Sequence, residues 1–341
     1  MTDASGGPPV GDRPGEGEAG PPPPPPGDPS QAFQTHVRAA RAEFENQVAH
    51  ARAEFDQANE RLKERTGRDL VVAILIALGI GAALLASLIF FKWVFVVFAL
   101  GASTLALFEI TRAMQAAGRR VDLVPQLIAG TLLVLGGVFL ELWLLWVAIF
   151  AAVAFVIVWR MVGQMFDGDG RTYGEVLRDV LTAGFIQLYV PFFASLCVLL
   201  VRQEGGEWWV LAFIIVTVAS DTGAYATGLS FGKHPMAPRI SPKKTWEGFA
   251  GAAAASLVAG VLLALFMLGL PWWTGLVFGA VILATATAGD LGESMVKRDL
   301  GIKDMSSWLP GHGGVLDRLD SILPSTVGAL ALYYLLTPLA A

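Results

Sequence analysis

The segment from Ser294 to Asp320 places ionisable residues directly beside apolar sequence of membrane-spanning length. It contains eight charged residues, a His-Gly-Gly triplet and two further glycines. Charges beside a bilayer are energetically costly, so a cluster of both signs indicates bound ions and phosphates rather than packing alone. The glycines allow the backbone to approach such ligands closely. The segment therefore predicts a phosphate- and ion-binding site at the membrane boundary.

A helical face of mixed charge leads into this segment. At about 100° per residue, Asp290, Glu293, Ser294 and Lys297 lie within one face of a helix. Two carboxylates, a hydroxyl and an amine are thus presented together. A helix end carrying ordinary solvated charges is the alternative interpretation.

A second constellation surrounds Asp221, which lies within or at the end of an apolar span, in the sequence Ser220-Asp221-Thr222. A carboxylate in that position needs a partner, either a metal ion or a lysine. The loop that follows contains Ser241-Pro-Lys-Lys-Thr-Trp-Glu-Gly248, and its lysines are point-charge phosphate binders. Positive charge that only sets membrane topology is the alternative for this loop. Because hard cations prefer carboxylate oxygens, we predict that Asp221 and Asp290 form a Mg²⁺ site.

The elements that position these residues are predicted to be membrane-spanning helices. The chain has 341 residues, of which 54% are hydrophobic and 16% charged, with a mean hydropathy of +0.57. This composition predicts an all-α, polytopic membrane protein. We expect nine spans, centred near Leu78, Ala99, Leu132, Ala151, Phe193, Val218, Val258, Val281 and Ala331. The net charge of -5 does not favour a nucleic-acid partner. The single cysteine, Cys197, excludes an internal disulfide and a cysteine-based metal site.

Loop charges predict the orientation. Lysine- and arginine-rich loops alternate with loops that have few such residues, which places the N-terminus and both charged loops in the cytoplasm. Three domains are expected: a disordered Pro/Gly-rich tail at 1–30, a charged helix at 31–68 and a transmembrane domain at 69–341. In the helix, the sequence Ala40–Phe44 recurs as Ala51–Phe55. This repeat leaves three interpretations open: a solvated helix, a self-associating helix, or a helix on the bilayer surface.

The motif between Ser294 and Asp320 resembles that of phosphatidate cytidylyltransferases, also called CDP-diacylglycerol synthases. The shared pattern is Ser, Lys-Arg, Lys-Asp, His-Gly-Gly and Asp-Arg-x-Asp, and the segments Ser220–Thr222 and Ser241–Gly248 are also similar to that family's. The resemblance covers roughly residues 70–341. It implies a dimeric enzyme of the inner membrane that transfers the cytidylyl group of CTP to phosphatidic acid. It also implies Mg²⁺ and a second, monovalent cation such as K⁺.

The residues and the resemblance together assign candidate roles. The candidate catalytic residues are Ser294, Lys297, Arg298, His312 and Asp317. The candidate substrate-binding residues are Ser220, Ser241, Lys243, Lys244, Lys303, Gly313, Gly314 and Arg318. The candidate metal ligands are Asp221, Asp290 and Glu293. For His312, a phosphate ligand is favoured, with a general acid or a structural histidine as alternatives. Glu109, Gln126 and Gln187 are interpreted as residues that form hydrogen bonds between helices.

Two other classes of function are open at this point. A CTP-dependent kinase or cytidylyltransferase acting on another isoprenoid or ether lipid would use the same nucleotide and metal groups. An ion or solute transporter would also carry intramembrane carboxylates, but near the midplane of related repeats. The predicted carboxylates lie towards one face, and the spans show no repeat, which disfavours a transporter.

Overall fold

The computed structural model describes residues 43, 70–167, 170–306, 308 and 313–339. The predicted tail at 1–30 and, apart from Glu43, the predicted helix at 31–68 lie outside the described residues. The candidate residue His312 also lies outside them. The predicted division into three domains therefore stays a prediction.

The described chain is built from α-helices with one π-helical turn and one β-hairpin. The helices are α1 (Leu70–Phe90), α2 (Lys92–Ala116), α3 (Leu123–Phe139), α4 (Leu142–Asp167), α5 (Tyr173–Gln187), α6 (Phe193–Arg202), α7 (Gly206–Phe231), α8 (Trp246–Phe266), α9 (Trp272–Asp299), α10 (Leu316–Leu319) and α11 (Ile322–Leu336). A short 3-10 helix, Thr337–Leu339, follows α11. The strands are β1 (Pro235–Ala237) and β2 (Ser241–Thr245). The predicted helical architecture is confirmed, and the hairpin is an addition to it.

Seven helical stretches are long and apolar enough to cross a bilayer, counted over the described part of the chain. They are α2, α4, the α5–α6 unit, α7, α8, α9 and the α10–α11 segment. The other two predicted spans fall on α1, with its apolar stretch Gly81–Phe90, and on α3, which has 17 residues. A multi-pass membrane protein is thus confirmed, while the number nine stays a prediction.

A π-helical turn at Leu188–Phe192 joins α5 to α6. Pro191 lies inside this turn, where its missing N–H removes a bond from the regular helical ladder. Beside the turn, the Gln187 side-chain amide donates to the backbone oxygen and to Oε1 of Gln126 in α3, at 3.0 and 2.5 Å. Gln126 in turn donates to the Ala183 carbonyl in α5 at 3.2 Å. The hydrogen-bonding role expected of Gln126 and Gln187 is confirmed.

Glycines allow α7, α8 and α9 to pack with their backbones in contact. A Cβ added to Gly223 in α7 would lie 2.6 Å from the Gly251 carbonyl in α8. A Cβ added to Gly275 in α9 would lie 2.6 Å from the Gly260 carbonyl in α8. Larger residues at these positions would force the helices apart. The close packing places Asp221, in the second half of α7, and Asp290, in the second half of α9, beside the first turns of α8.

The antiparallel β1–β2 hairpin connects α7 to α8, with Pro235 opposite Thr245 and Ala237 opposite Ser241. Thr245 caps α8 by accepting a hydrogen bond from Gly248 N at 3.1 Å. Glu247 reaches back from the same turn and accepts from the backbone N–H groups of Lys233 and His234, at 3.1 and 3.2 Å. These bonds hold both ends of the hairpin against the start of α8.

Candidate active site

A cavity of about 290 Å³ lies where α7, β2, α8 and α9 meet. Its polar lining includes Ser220 and Asp221 from α7, Lys243 and Lys244 from β2, and Asp290 from α9. The fold therefore brings together the two constellations that the sequence separates. The volume is at the lower end of ordinary ligand pockets, and the lining combines carboxylates with amines. Such a lining suits a phosphate group accompanied by a cation.

Asp221 and Asp290 are the two carboxylates of this cavity. They interact electrostatically with each other and with Asp320. Asp290 forms an ion pair with Lys244 through Oδ2, and its Oδ1 accepts a hydrogen bond from Ser294 Oγ at 3.4 Å. Ser294 thus lies beside the carboxylate that the sequence assigns to the metal.

The donor set of the cavity fits Mg²⁺ when part of the coordination shell comes from elsewhere. No group of three or more His, Cys, Asp or Glu side chains in the described chain is arranged to hold a metal ion. Mg²⁺ is commonly bound by one or two carboxylates and completes its octahedral shell with waters and substrate phosphates. Asp221 and Asp290 meet that requirement, because both face the same cavity.

Glu293, Lys297 and Asp317 form a second, buried charge cluster between α9 and α10. Lys297 Nζ lies 2.5 Å from Glu293 Oε2 and 3.1 Å from Asp317 Oδ1. The side chains are 0%, 17% and 5% exposed for Glu293, Lys297 and Asp317. Glu293 is not among the residues that line the Asp221–Asp290 cavity. The structure thus pairs this predicted metal ligand with a predicted catalytic lysine.

Asp317 also organises the turn that precedes α10. Its Oδ2 accepts hydrogen bonds from Gly314 N at 2.7 Å and from Met305 N at 3.1 Å. Gly313 has a φ of +81°, which favours glycine, and a Cβ there would lie 2.8 Å from Asp317 Oδ2. A Cβ on Gly314 would lie 2.7 Å from Glu109 Oε2. Both glycines of the motif therefore allow backbone to approach a carboxylate of the protein itself.

Comparisons with known sequences identify the family. The sequence model of the Cytidylyltransferase family matches residues 71–336. The chain is 42% identical over 278 residues to a phosphatidate cytidylyltransferase of Mycobacterium tuberculosis (strain ATCC 25618 / H37Rv), an alignment that covers 78% of this chain and 82% of that protein. It is 42% identical over 290 residues to a phosphatidate cytidylyltransferase of Mycobacterium leprae (strain TN), covering 80% and 90%. The chain belongs to the phosphatidate cytidylyltransferase family.

The alignment with another family member covers a shorter part of the chain. A phosphatidate cytidylyltransferase of Haemophilus influenzae is 41% identical over 145 residues, which are 39% of this chain and 50% of that protein. The predicted family and enzyme class are thus confirmed. The roles of individual residues are not tested by these comparisons.

Four other candidate residues of this family member lie outside the lining of the cavity. Arg298 Nε donates to the Ile240 carbonyl at 3.1 Å and so ties the end of α9 to the hairpin. Arg318 in α10 acts electrostatically on Asp221. Ser241 begins β2 and is partly buried, and Lys303 is exposed after α9. Of these four, the structure relates Arg318 to a carboxylate of the cavity.

Two residues near the site have contacts that the sequence analysis does not assign. Asp320 acts electrostatically on Asp221, and its carbonyl lies against Gly289 of α9, where a Cβ would overlap it. The three-residue spacing of Asp317 and Asp320 on a helix is the sequence signal that relates them. Glu109 is predicted to form hydrogen bonds between helices, and its carboxylate bonds the first residue of α10 and, in addition, the turn before that helix. This contact joins residues about 200 positions apart, and no local pattern in the sequence reports it.

Proposed function

We propose that this chain is itself a phosphatidate cytidylyltransferase. It transfers the cytidylyl group of CTP to phosphatidic acid and releases CDP-diacylglycerol and pyrophosphate. The observation that carries this proposal is a cavity that gathers Asp221 and Asp290, from the second halves of two membrane-spanning helices, with Lys243 and Lys244 of the adjoining hairpin. A charged lipid head group and a nucleotide triphosphate can meet there while the acyl chains stay among apolar helices.

The reaction requires charge neutralisation and alignment more than proton abstraction. A phosphate monoester already carries an anionic oxygen, which attacks the α-phosphorus of CTP without a deprotonating base. The new phosphorus–oxygen bond forms as the bond to the β-phosphate oxygen breaks, and the electron pair leaves with pyrophosphate. Lys243 and Lys244 would bind phosphate oxygens in the cavity, and the Lys297 cluster would hold α9 and α10 in register.

Asp221 and Asp290 would hold Mg²⁺, whereas Glu293, the third carboxylate predicted from the sequence, does not line their cavity and pairs with Lys297. When bound, Mg²⁺ supplies positive charge that offsets the charge of the triphosphate. Ser294 supports Asp290 through its hydrogen bond. A monovalent cation such as K⁺ remains part of the proposal on the strength of the family resemblance. The same resemblance supports a homodimer, which the molecular mass of the purified protein in detergent or nanodiscs would test.

We also propose that the hairpin and the Ser294–Asp320 segment lie on the cytoplasmic side of the inner membrane, because the predicted topology places the loops rich in Lys and Arg on that side. Cysteine-accessibility labelling tests this orientation. In a Cys197→Ser background, a cysteine in place of the exposed Arg239 should be labelled only after the membrane is permeabilised. Labelling of intact cells from outside would show that the orientation is the opposite of the one proposed.

Turnover of defined substrates tests the reaction. Purified protein with labelled CTP and phosphatidic acid should form a CDP-lipid and release one pyrophosphate for each product molecule. A phosphorylated isoprenoid and an ether-lipid phosphate serve as competing acceptors. When an unphosphorylated isoprenoid alcohol is supplied as a separate acceptor, formation of CDP and the phosphorylated lipid would indicate a kinase. A preference for either competing acceptor over phosphatidic acid would identify that acceptor as the substrate.

A further inference from the structure

Glu109 is a buried carboxylate in α2, with 2% of its surface exposed. In the predicted topology it lies in the cytoplasmic half of that helix. Its Oε1 accepts hydrogen bonds from Ser306 Oγ at 2.6 Å and from Val315 N at 3.0 Å. Its Oε2 accepts a hydrogen bond from Leu316 N at 2.9 Å. Three donors thus converge on one carboxylate, and two of them are backbone N–H groups at the start of α10. Helix starts leave such N–H groups without partners, and a carboxylate satisfies them.

A second contact docks the same loop on α2. The ring of Trp308 lies 5.2 Å from the ring of Phe108, centroid to centroid. Arg112 follows Phe108 by one helical turn, and its guanidinium lies 5.4 Å from the centroid of the Phe108 ring. One side of α2 therefore carries an aromatic contact and a carboxylate contact for the loop that precedes α10.

The turn that Glu109 holds is the turn that positions Asp317. Gly314 N donates to Asp317 Oδ2 at 2.7 Å, one residue before the Glu109 contact with Val315. Asp317 Oδ1 then accepts from Lys297 Nζ at 3.1 Å. Hydrogen bonds joined by the backbone of the turn thus link α2 to α9. Displacement of the turn would displace Asp317 and the lysine that it orients.

We propose that Glu109 is a positioning residue for the cytidylyl transfer. It fixes the turn at Gly313–Leu316 and, through Asp317, the position of Lys297. This inference rests on the proposed function, because Lys297 matters to turnover only if the chain carries out the reaction. Glu109 is not among the residues that line the cavity, so it acts through the turn and not on the substrate.

Glu109→Gln is the sharpest test, because it preserves the size of the side chain. A glutamine amide has one oxygen, so its NH₂ group must face either Val315 N–H or Leu316 N–H, and one backbone donor loses its acceptor. We expect kcat to fall about tenfold, with KM for CTP and phosphatidic acid changed less than about twofold. Thr111→Val is the matched control, since Thr111 is also buried in α2 but bonds only its own helix, at Leu107 O. Its turnover should be normal.

Amide hydrogen exchange provides a readout that does not depend on activity. In Glu109→Gln, the peptide that contains Val315 and Leu316 should exchange at least about tenfold faster than in the unchanged protein. Peptides from α7 and α8 should exchange at the same rate in both. Normal turnover, or slow turnover with unchanged exchange at Val315 and Leu316, would overturn the proposal. If the unchanged protein forms no CDP-lipid, the proposed function fails instead, while the exchange result still reports whether Glu109 holds the turn.

Ser306→Ala keeps the test decisive if Glu109→Gln does not fold. It removes one of the three donors and leaves both backbone bonds intact, so kcat should fall only about two- to threefold. Normal turnover and normal exchange at Val315 and Leu316 in Ser306→Ala would contradict the proposal. If Glu109→Gln does fold, the double variant should lose less turnover than the product of the two single losses, because both changes act on one carboxylate.

Discussion

Two charge clusters on helix α9 differ in how far they are open to a ligand. In the cavity, the Lys244 and Asp290 side chains are 25% and 30% exposed. In the other cluster, the Glu293 and Asp317 side chains are 0% and 5% exposed. A partly exposed ion pair contributes little to stability and exchanges partners at low cost, whereas loss of one member of a buried pair is strongly destabilising. The first cluster is therefore suited to ligand exchange and the second to fixing geometry.

The division of α9 follows from helical geometry. Glu293 lies roughly 60° around the helix from Asp290, and Lys297 roughly 20°, on the side opposite to Ser294. The two edges of one polar face consequently meet different neighbours. Asp290 and Ser294 lie on the edge towards the cavity, while Glu293 and Lys297 lie on the edge towards Asp317. A face that is continuous in the sequence thus makes two separate sets of contacts in the fold.

The largest effect is expected in the open cluster, from Asp290→Asn and Asp221→Asn. Either change keeps the shape of the side chain and removes the charge that a cation needs, so turnover should fall on the order of 100-fold or more. CDP-lipid formation per inserted molecule, measured over a Mg²⁺ titration, checks this. Thr287→Val is the control, because Thr287 lines the same cavity without charge. Near-normal turnover at limiting Mg²⁺ would remove the substituted residue from the proposed metal site.

The second-largest loss of turnover is expected in the buried cluster, from Lys297→Met. Turnover should fall by about tenfold or more, which corresponds to roughly 1.4 kcal/mol of lost transition-state stabilisation. The variant also leaves Glu293 buried without its partner, which should cost about 3–5 kcal/mol of stability. Thermal unfolding of the detergent-solubilised protein, measured beside turnover per folded molecule, separates the two losses.

A paired substitution distinguishes the two roles of Lys297. Glu293→Gln combined with Lys297→Met removes both charges, so it should recover much of the stability and none of the turnover. If the pair also recovers turnover, Lys297 serves only as the counter-ion of Glu293. That result would leave Lys243 and Lys244 as the lysines proposed to act on the phosphate groups.

Arg298→Met should have a smaller effect, because Arg298 supports the hairpin from an exposed position. Loss of its bond to the Ile240 carbonyl should raise KM for CTP roughly two- to fivefold and change kcat little. Steady-state kinetics with Arg298→Met and Arg298→Lys measure this. A tenfold loss of kcat at unchanged KM would instead support the catalytic role predicted from the sequence.

Removal of residues 1–30 should have the smallest effect. The segment contains the unbroken run Pro21–Pro26 and little apolar surface, so we expect it to contribute no packing to the catalytic domain. Turnover and thermal stability should match those of the full chain within experimental error. A loss of turnover in the shortened chain would assign the tail a role in catalysis or assembly.

Much of the fold and the location of the site are predictable from the sequence. Long apolar runs specify membrane helices, because a bilayer forces the backbone to satisfy its own hydrogen bonds. The charged motifs identify Asp221, Asp290 and Lys244, and the cavity brings them together. The β-hairpin is not apparent from Pro235–Thr245, because its short strands lack the alternating apolar pattern of a half-buried strand.

The sequence alone determined the helical membrane class, the family and the side chains available for chemistry, since hydropathy and motif spacing are local properties. The tertiary structure alone decided which of those side chains meet. It paired Lys244 with Asp290, divided the polar face of α9 and brought Glu109 to Val315 and Leu316. The physical reason is that helical periodicity specifies the direction in which a side chain points around the axis of its helix. The packing of separate helices then determines which partner lies in that direction.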